Sequence, residues 1–382
     1  MTKVSIIVNN YNYGRFLAQS IDSALTQDYS DKEVLVVDDG SKDNSRQVIA
    51  LFGDRVLPVL KENGGQTSAF NAGLAASHGD AVLFLDADDF LLPGAVRQAV
   101  NRLADPNVVK VHWPLWVVDG GGVRSGDIKP VEAPPEGDMK PLIIEHGPEY
   151  AGWPPTSGNA WKRSYLQRVF PIPEVESNCG VGSASADAYL TMLAPLFGHV
   201  GAIHEPLSCY RVHGSNDHAC LDFDRKLMRD VWVFDHFSRV LERYCREARV
   251  QVDPQRWRNN SWCCRLLRAT KRIESMVQPG ESFILVDDGQ FCMTATPVRN
   301  PIPFMERDGQ FWGQPADDRE AIDELTRLAR AGARYVVIAW PSFWWLDHFR
   351  GFAQHLRRSF RCVVEDDLMI AFDLATSPPA AA

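Results

Sequence analysis

The chain has 8 cysteines among its 382 residues, but no Cys-x-x-Cys pair and no regular spacing that would mark a metal or redox site. Cys263 and Cys264 are adjacent, too close for an ordinary structural crosslink, so reduced thiols in a cytosolic protein are the expectation. No run of 18 apolar residues exists, which excludes a membrane-spanning helix. The first residues lead directly into a strand pattern without a basic and then apolar leader, so export by a signal peptide is not expected. Three glycine signatures are missing as well: no Gly-x-Gly-x-x-Gly after the first strand, no Gly-Lys pair for a P-loop, and no Gly-x-Ser-x-Gly elbow. Dinucleotide oxidoreductases, P-loop nucleotidases and α/β-hydrolases are disfavoured accordingly.

Positive charge is also scarce, with a net charge of −9 that argues against a nucleic-acid partner. It is unevenly spread: Arg225 to Arg272 holds 13 Lys or Arg against 5 Asp or Glu, a local +8 that leaves −17 elsewhere.

What the chain does have is a set of apolar strands that end in polar groups. Val82-Leu83-Phe84-Leu85 runs into Asp86-Ala87-Asp88-Asp89, Val34 to Val37 runs into Asp38-Asp39-Gly40-Ser41, and Val4 to Val8 runs into Asn9-Asn10-Tyr11-Asn12. Three carboxylates within four residues repel one another, and a divalent cation facing them is the simplest reason for the clustering. A solvated acidic turn is the bland alternative. A hard cation in turn implies a phosphate-bearing ligand.

Between these strands lie helical patterns, with Phe16, Leu17, Ile21 and Leu25 on one face and Ala69, Ala72, Gly73 and Ala76 on another. Alternating strands and helices predict an α/β fold with a mostly parallel sheet covered on both sides. Ligands of such sheets bind beyond the carboxyl ends of the strands, where Asp39 and the Asp86 to Asp89 cluster are expected to meet. Val108 to Trp113 and Leu115 to Val118 then read as strands, which makes the sheet mixed. The passage from Pro130 to Pro141 reads as a surface loop.

Four regions are expected: 1–220, with a nucleotide-binding half (1–105) and an acceptor-side half (106–220); a basic helical segment, 221–278; a small α/β domain, 279–376; and a disordered tail, 377–382. In the helical segment Leu227, Val231, Phe234, Val240, Leu241 and Tyr244 form an apolar stripe, and Asp253-Pro254 opens a second helix carrying Trp257 and Trp262. The α/β domain is expected to contain strand 283–286 ending in Asp287-Asp288, helix 317–331, strand 335–338, a helix over 345–358 and a closing strand pair. No role is assigned to it.

The motifs from Val4 to Asn12, Val37-Asp38-Asp39-Gly40-Ser41, Asn63-Gly64-Gly65-Gln66 with Ala69, Asn71 and Gly73, and Leu85 to Asp89 stand in an order and spacing that resembles the family 2 glycosyltransferases, whose fold is the Rossmann-like GT-A. The resemblance extends to about Ser215. It implies transfer of a sugar from a nucleotide-diphosphate sugar, a UDP-sugar being favoured, to a hydroxyl, with inversion and with Mn2+ or Mg2+ as cofactor. The acceptor would be a carbohydrate or a lipid-linked molecule, as in polysaccharide, glycolipid or other glycoconjugate synthesis.

Residue by residue, the resemblance places Asn9, Tyr11, Asp39, Asn63, Gln66, Asn71, Asp86, Asp88 and Arg211 on the nucleotide and donor, and Asp88, Asp89 and His213 on the metal. Asp187, in Ser185-Ala186-Asp187-Ala188-Tyr189-Leu190, matches the base that takes the acceptor's proton. The family usually has glutamate where Ala186 stands. Trp153, Ser157 and Asn159 are expected on the acceptor side. Structural readings compete at several of these: a plain turn for Asp39, a helix-capping turn for Asn63 to Gln66, a helix N-cap for Asp187 and core packing for Trp161. The basic helices suit either peripheral contact with the inner face of a membrane or a helical pair with solvated Arg faces. A catalytically silent nucleotide-sugar-binding or scaffold protein is the alternative from another class.

Overall fold

A computed structural model describes residues 2–174, 185–214, 221–296 and 298–376. The expected tail 377–382 lies outside the described residues. The chain divides into two compact units, one of residues 1–220 and 232–257, the other of 221–231 and 258–382. The expected basic helical segment is therefore not a unit of its own. Its first helix, Phe223–Glu247, begins in the second unit and continues in the first.

The first unit is built on strands β1 (Val4–Asn10), β2 (Lys32–Asp39), β3 (Leu57–Lys61), β4 (Ala81–Asp86), β5 (Phe90–Leu91), β6 (Val108–His112), β7 (Leu115–Val118), β8 (Arg124–Lys129), β9 (Asn159–Lys162), β10 (His199–Ala202) and β11 (Ser208–Arg211). Seven of them form one sheet in the order β10-β6-β9-β4-β1-β2-β3. All neighbours are parallel except β9, which runs antiparallel to both β4 and β6. This is the mixed α/β architecture expected from the sequence. β6 and β7, only two residues apart, belong to different sheets, because β7 joins a smaller one in the order β5-β11-β7-β8.

Helices α1 (Gly14–Leu25), α2 (Ser45–Ala50), α3 (Gly65–Ala76) and α4 (Ala95–Leu103) connect the first strands. Alternation along β1 sorts the two faces: Val4, Ile6 and Val8 join a core with Leu17 and Ile21 of α1 and Val96, Ala99 and Leu103 of α4. On the other face Phe70 of α3 stacks on Phe84 of β4 with ring centroids 3.9 Å apart. That closeness depends on Gly73, where a Cβ would meet Ile7 Cγ2 at 2.5 Å and Val37 Cγ2 at 3.1 Å. Gly73→Ala gains about 1 kcal/mol of helix propensity but overpacks two branched strand side chains, a penalty of about 1–3 kcal/mol. The contact is close enough for the penalty to win, so a lower urea midpoint is expected; an unchanged midpoint would show that α3 can lift away freely.

The helix Phe223–Glu247 buries Leu227, Val231, Phe234 and Leu241 of the expected stripe, while Arg225, Lys226, Arg239, Arg243 and Arg246 are exposed. The second basic helix is two helices, Pro254–Asn260 and Trp262–Met276, since Ser261 breaks the first and caps the second by accepting from the Cys264 amide. No helix among the described residues is long and apolar enough to cross a membrane.

The second unit contains β12 (Ser282–Val286), β13 (Asn300–Pro303), the short pair β14 (Glu306–Arg307) and β15 (Gln310–Phe311), β16 (Ala333–Ala339), β17 (Arg361–Glu365) and β18 (Met369–Asp373). Its main sheet is ordered β13-β12-β16-β18-β17, with the last two strands antiparallel. The helix expected over 345–358 is broken at Phe349 into Trp344–His348 and Arg350–Ser359. The carboxylates after β12 serve the fold: Asp287 accepts from the amides of Gly289 and Phe291, and Asp288 from Ser342 Oγ and the indoles of Trp344 and Trp345.

Candidate active site

The carboxyl ends of β2, β1 and β4 lie side by side, with Asn10 in register with Asp38 and Asn9 with Asp86. Because β1 separates them, Asp39 and Asp86 stand about two strand spacings, roughly 10 Å, apart. They frame the two ends of a site, rather than meeting.

At the β2 end, Asp39 is buried and its carboxylate accepts from Lys61 Nζ and from the amides of Gly64 (3.0 Å) and Gly65 (2.7 Å). The amides of Gly64 and Gly65 are therefore turned onto Asp39. The physical reason is that the first N–H groups of α3 have no partner within the helix, and a carboxylate at a helix N-terminus is favoured. Asn63 follows the same logic, its Nδ2 donating to the Asp39 carbonyl at 3.1 Å. Tyr11 is 41% exposed, at the open edge of the β1 end. Asn9 is buried, and neither atom of its side-chain amide has a hydrogen-bond partner among the described residues.

The Asp86 to Asp89 turn is divided by its partners. Asp89 is buried, accepting from Ser157 Oγ at 2.6 Å and from the Arg211 amide at 2.9 Å. Asp88 Oδ2 instead faces His213 Nε2 at 3.1 Å, and Arg15 reaches His213 Nδ1 at 3.3 Å. Burial, followed by the charges of Asp89, Asp88 and Asp187, raises the Asp86 carboxyl well above the usual carboxylate range. Burial and then the Asp88 charge push Asp89 up to about 8. Crowding of this kind is relieved by a cation, so the donor set fits a divalent ion. Of the residues expected on the ion, Asp88 and His213 face each other, while Asp89 is engaged by Ser157 and the Arg211 amide. Among the described residues, no three His, Cys, Asp or Glu side chains converge closely enough to chelate an ion alone.

The packing gives several other expected site residues partners within the protein. Arg211, placed on the donor by its motif position, is 2% exposed and donates to the carbonyls of Asp88 (2.7 Å) and Gly120 (3.0 Å) and to Gln19 Oε1 (2.6 Å). It is brought there by β11, which pairs with β5 directly after the acidic turn. Asn71, also expected on the donor, uses its amide to clamp the backbone of Ile172, donating to its carbonyl at 2.9 Å and accepting from its amide at 2.8 Å. Gln66 Oε1 accepts from the Ala186 amide at 3.2 Å, tying the Asn63 to Gln66 loop to helix Ala186–Leu193.

On the acceptor side, Ser157 is buried against Asp89, and Asn159 Nδ2 donates to the carbonyl of Pro155 at 2.7 Å. Both are internal, because β9 is inserted between β4 and β6. Trp161 is core, and Trp153 is half-buried. Asp187 is half-buried in the first turn of helix Ala186–Leu193, and its charge acts on Asp86 and on Lys110.

Sequence reasoning missed Arg15, Gln19, Lys61 and Lys110. Lys110 left a signal, a lone basic residue in the apolar strand Val108-Val109-Lys110-Val111.

A family model described as glycosyl transferase family 2 matches residues 5–139. An uncharacterized glycosyltransferase of Nostoc is 38% identical over 221 residues, 56% of this chain and 66% of that protein. One of Rickettsia typhi is 39% identical over 100 residues, 26% of this chain and 31% of that protein. Thus the chain spans about two thirds of the first relative's length and under a third of the second's. Among solved structures, residues 1–349 of Staphylococcus aureus TarS in complex with UDP-GlcNAc match 72% of this chain and 84% of that one, at 18% identity and a TM-score of 0.45. The chain carries a glycosyl transferase family 2 domain.

Proposed function

We propose that the protein is an inverting glycosyltransferase that moves a sugar from a nucleotide-diphosphate donor, a UDP-sugar in preference, to a hydroxyl of a carbohydrate or lipid-linked acceptor in glycoconjugate synthesis. The observation that carries the reading is the crowded acidic turn after β4, beside the unpartnered amide of Asn9 and within electrostatic reach of Asp187.

Asn9 and the exposed ring of Tyr11 would contact the nucleoside, and the β2 end would bound it through the loop that Asp39 holds. Asp88 and His213 would hold Mn2+ or Mg2+, whose positive charge would offset the charge that builds on the leaving nucleoside diphosphate. In the transfer itself, the acceptor oxygen bonds to the anomeric carbon as the bond to the diphosphate breaks. The hydroxyl proton passes to a carboxylate oxygen of Asp187, because a neutral alcohol is a poor nucleophile. A single displacement inverts the anomeric centre. The exposed arginines of helix Phe223–Glu247 leave peripheral contact with an anionic membrane as part of the same reading.

Incubation with Mn2+ and UDP-, GDP- and dTDP-sugars, followed by measurement of released nucleoside diphosphate, tests the proposal. Tight donor binding without turnover on any hydroxyl acceptor would favour the silent binding protein instead. At saturating UDP and Mn2+, about a hundred times Kd, binding should stabilise the wild type by about 2.7 kcal/mol. Asp88→Asn is expected to abolish the Mn2+-dependent part of the resulting thermal shift. An undiminished shift would remove Asp88 from the ion's ligands.

A further inference from the structure

The loops that follow β1 and β2 are stitched to each other, and the Ser41 hydroxyl is their shared point. Asp38, buried at the end of β2, accepts from Asn10 Nδ2 at 3.0 Å, from the Ser41 amide at 3.3 Å and from Arg46 Nε at 2.8 Å. The same Asn10 Nδ2 donates to Ser41 Oγ at 3.0 Å, and the Asn12 amide donates to that oxygen at 2.9 Å. In return, the Lys42 amide donates to Asn12 Oδ1 at 2.7 Å. Further along, the Gly14 amide donates to Asp43 Oδ2 at 2.8 Å.

Tyr11 stands between Asn10 and Asn12, and both neighbours are bound to this one hydroxyl. Its own ring is exposed, so the place of the ring is set by the backbone that carries it. That backbone is unusual: Asn12 has a φ of 60°, in the left-handed region that a non-glycine residue enters at a cost. The hydrogen bonds to Ser41 and from Lys42 offset the cost. With the hydroxyl removed, the Asn12 amide loses its partner, and the turn is free to relax toward extended backbone with Tyr11 on it.

We propose that Ser41 is a positioning residue for the donor, whose hydroxyl presets the left-handed turn at Asn12 and so presents the Tyr11 ring to the nucleoside. The inference rests on the reading of Tyr11 as a nucleoside contact. A turn formed beforehand spares the donor the cost of ordering it on binding. Ser41 acts in this way through Tyr11 alone and leaves the transfer step untouched.

The test is the affinity for UDP in saturating Mn2+, measured by titration calorimetry on the full chain. Wild type is compared with Ser41→Ala, Ser41→Thr, Tyr11→Ala and the double variant Ser41→Ala/Tyr11→Ala, with kcat at saturating donor alongside. If the preset turn falls to about a tenth of the population in Ser41→Ala, UDP binds about tenfold more weakly. Its kcat should stay within about twofold of wild type, as for lost uniform binding. Ser41→Thr keeps the hydroxyl and should keep the affinity. Tyr11→Ala should also weaken UDP, and adding Ser41→Ala to it should cost nothing more, because the one residue acts through the other. Unchanged affinity in Ser41→Ala, a threonine variant as weak as the alanine one, or losses that add in the double variant would each overturn the proposal. Wild-type affinity in Tyr11→Ala would instead remove the nucleoside reading of Tyr11, and this inference with it.

Discussion

Asp187→Asn is expected to lower kcat for sugar transfer by about 10²–10⁴-fold, the usual contribution of a positioned general base, with donor KM and the UDP-induced thermal shift unchanged. The amide has nearly the same shape as the carboxylate and can occupy the same place in the first turn of helix Ala186–Leu193. It cannot take a proton at neutral pH. The backbone that carries it is fixed independently, through the Ala186 amide bound to Gln66 Oε1 at 3.2 Å, so the substitution should not shift the helix. Rates of nucleoside diphosphate release with saturating acceptor measure the effect. A variant within about threefold of wild type would put the base elsewhere, since the lower end of the range is already about a hundredfold. Donor binding lost together with activity would instead mark Asp187 as part of the donor pocket.

Arg211→Met is expected to have the largest effect on stability, a loss of about 3–5 kcal/mol, as for removal of one partner of a buried charge. The guanidinium, over the Phe16 ring at 4.6 Å, serves the backbone carbonyls of Asp88, Asp119 and Gly120 and the Gln19 side chain from a position 2% exposed. Methionine fills much of the volume but leaves these acceptors without donors. It also removes a positive charge that favours the ionised form of Asp89. At about 2–4 °C per kcal/mol for a unit of this size, the melting temperature should fall by roughly 6–20 °C. Arg211→Lys should recover only part of the loss, because an ammonium cannot match the planar fork that reaches all of these acceptors. A melting temperature within a degree or two of wild type would show that Arg211 does not hold the turn. Lost donor affinity without lost stability would return it to the donor side, where its motif position had put it.

These two residues illustrate how legible the site was. The place of Asp187 was legible because it is local: an acidic residue in the first turn of a helix, as its motif implied. The strands and their polar ends were readable for the same reason, since apolar runs that stop at carboxylates are visible within eight or nine residues. Arg211, Ser157, Asn71 and Asn159 were placed by motif position at the ligand, and each is bound to protein groups. The partners of Arg211 and Asn71 lie far off in sequence, in Gln19, Asp88 and Ile172, and no periodicity encodes such pairs. Ser157 and Asn159 became internal through β9, a four-residue strand with too little pattern to be recognised in advance. The surroundings of Lys110 were unreadable for the further reason that Trp153 and Trp161, over whose rings its Nζ stands, come from segments other than its own strand.

The sequence alone determined the α/β class of both units, the ends of the strands at which polar chemistry would gather, and the residue types available there: clustered carboxylates, a helix-borne aspartate, a histidine after the last strand of the domain. Only the tertiary structure decided which of these are open to a ligand and which are internal. It turned the glycine amides onto Asp39, Asp89 toward Ser157 and Arg211, and Asp88 toward His213. Residue type fixes what a side chain can donate or accept, but burial obliges every polar group to find a partner, and which partner is nearest is a property of the folded chain.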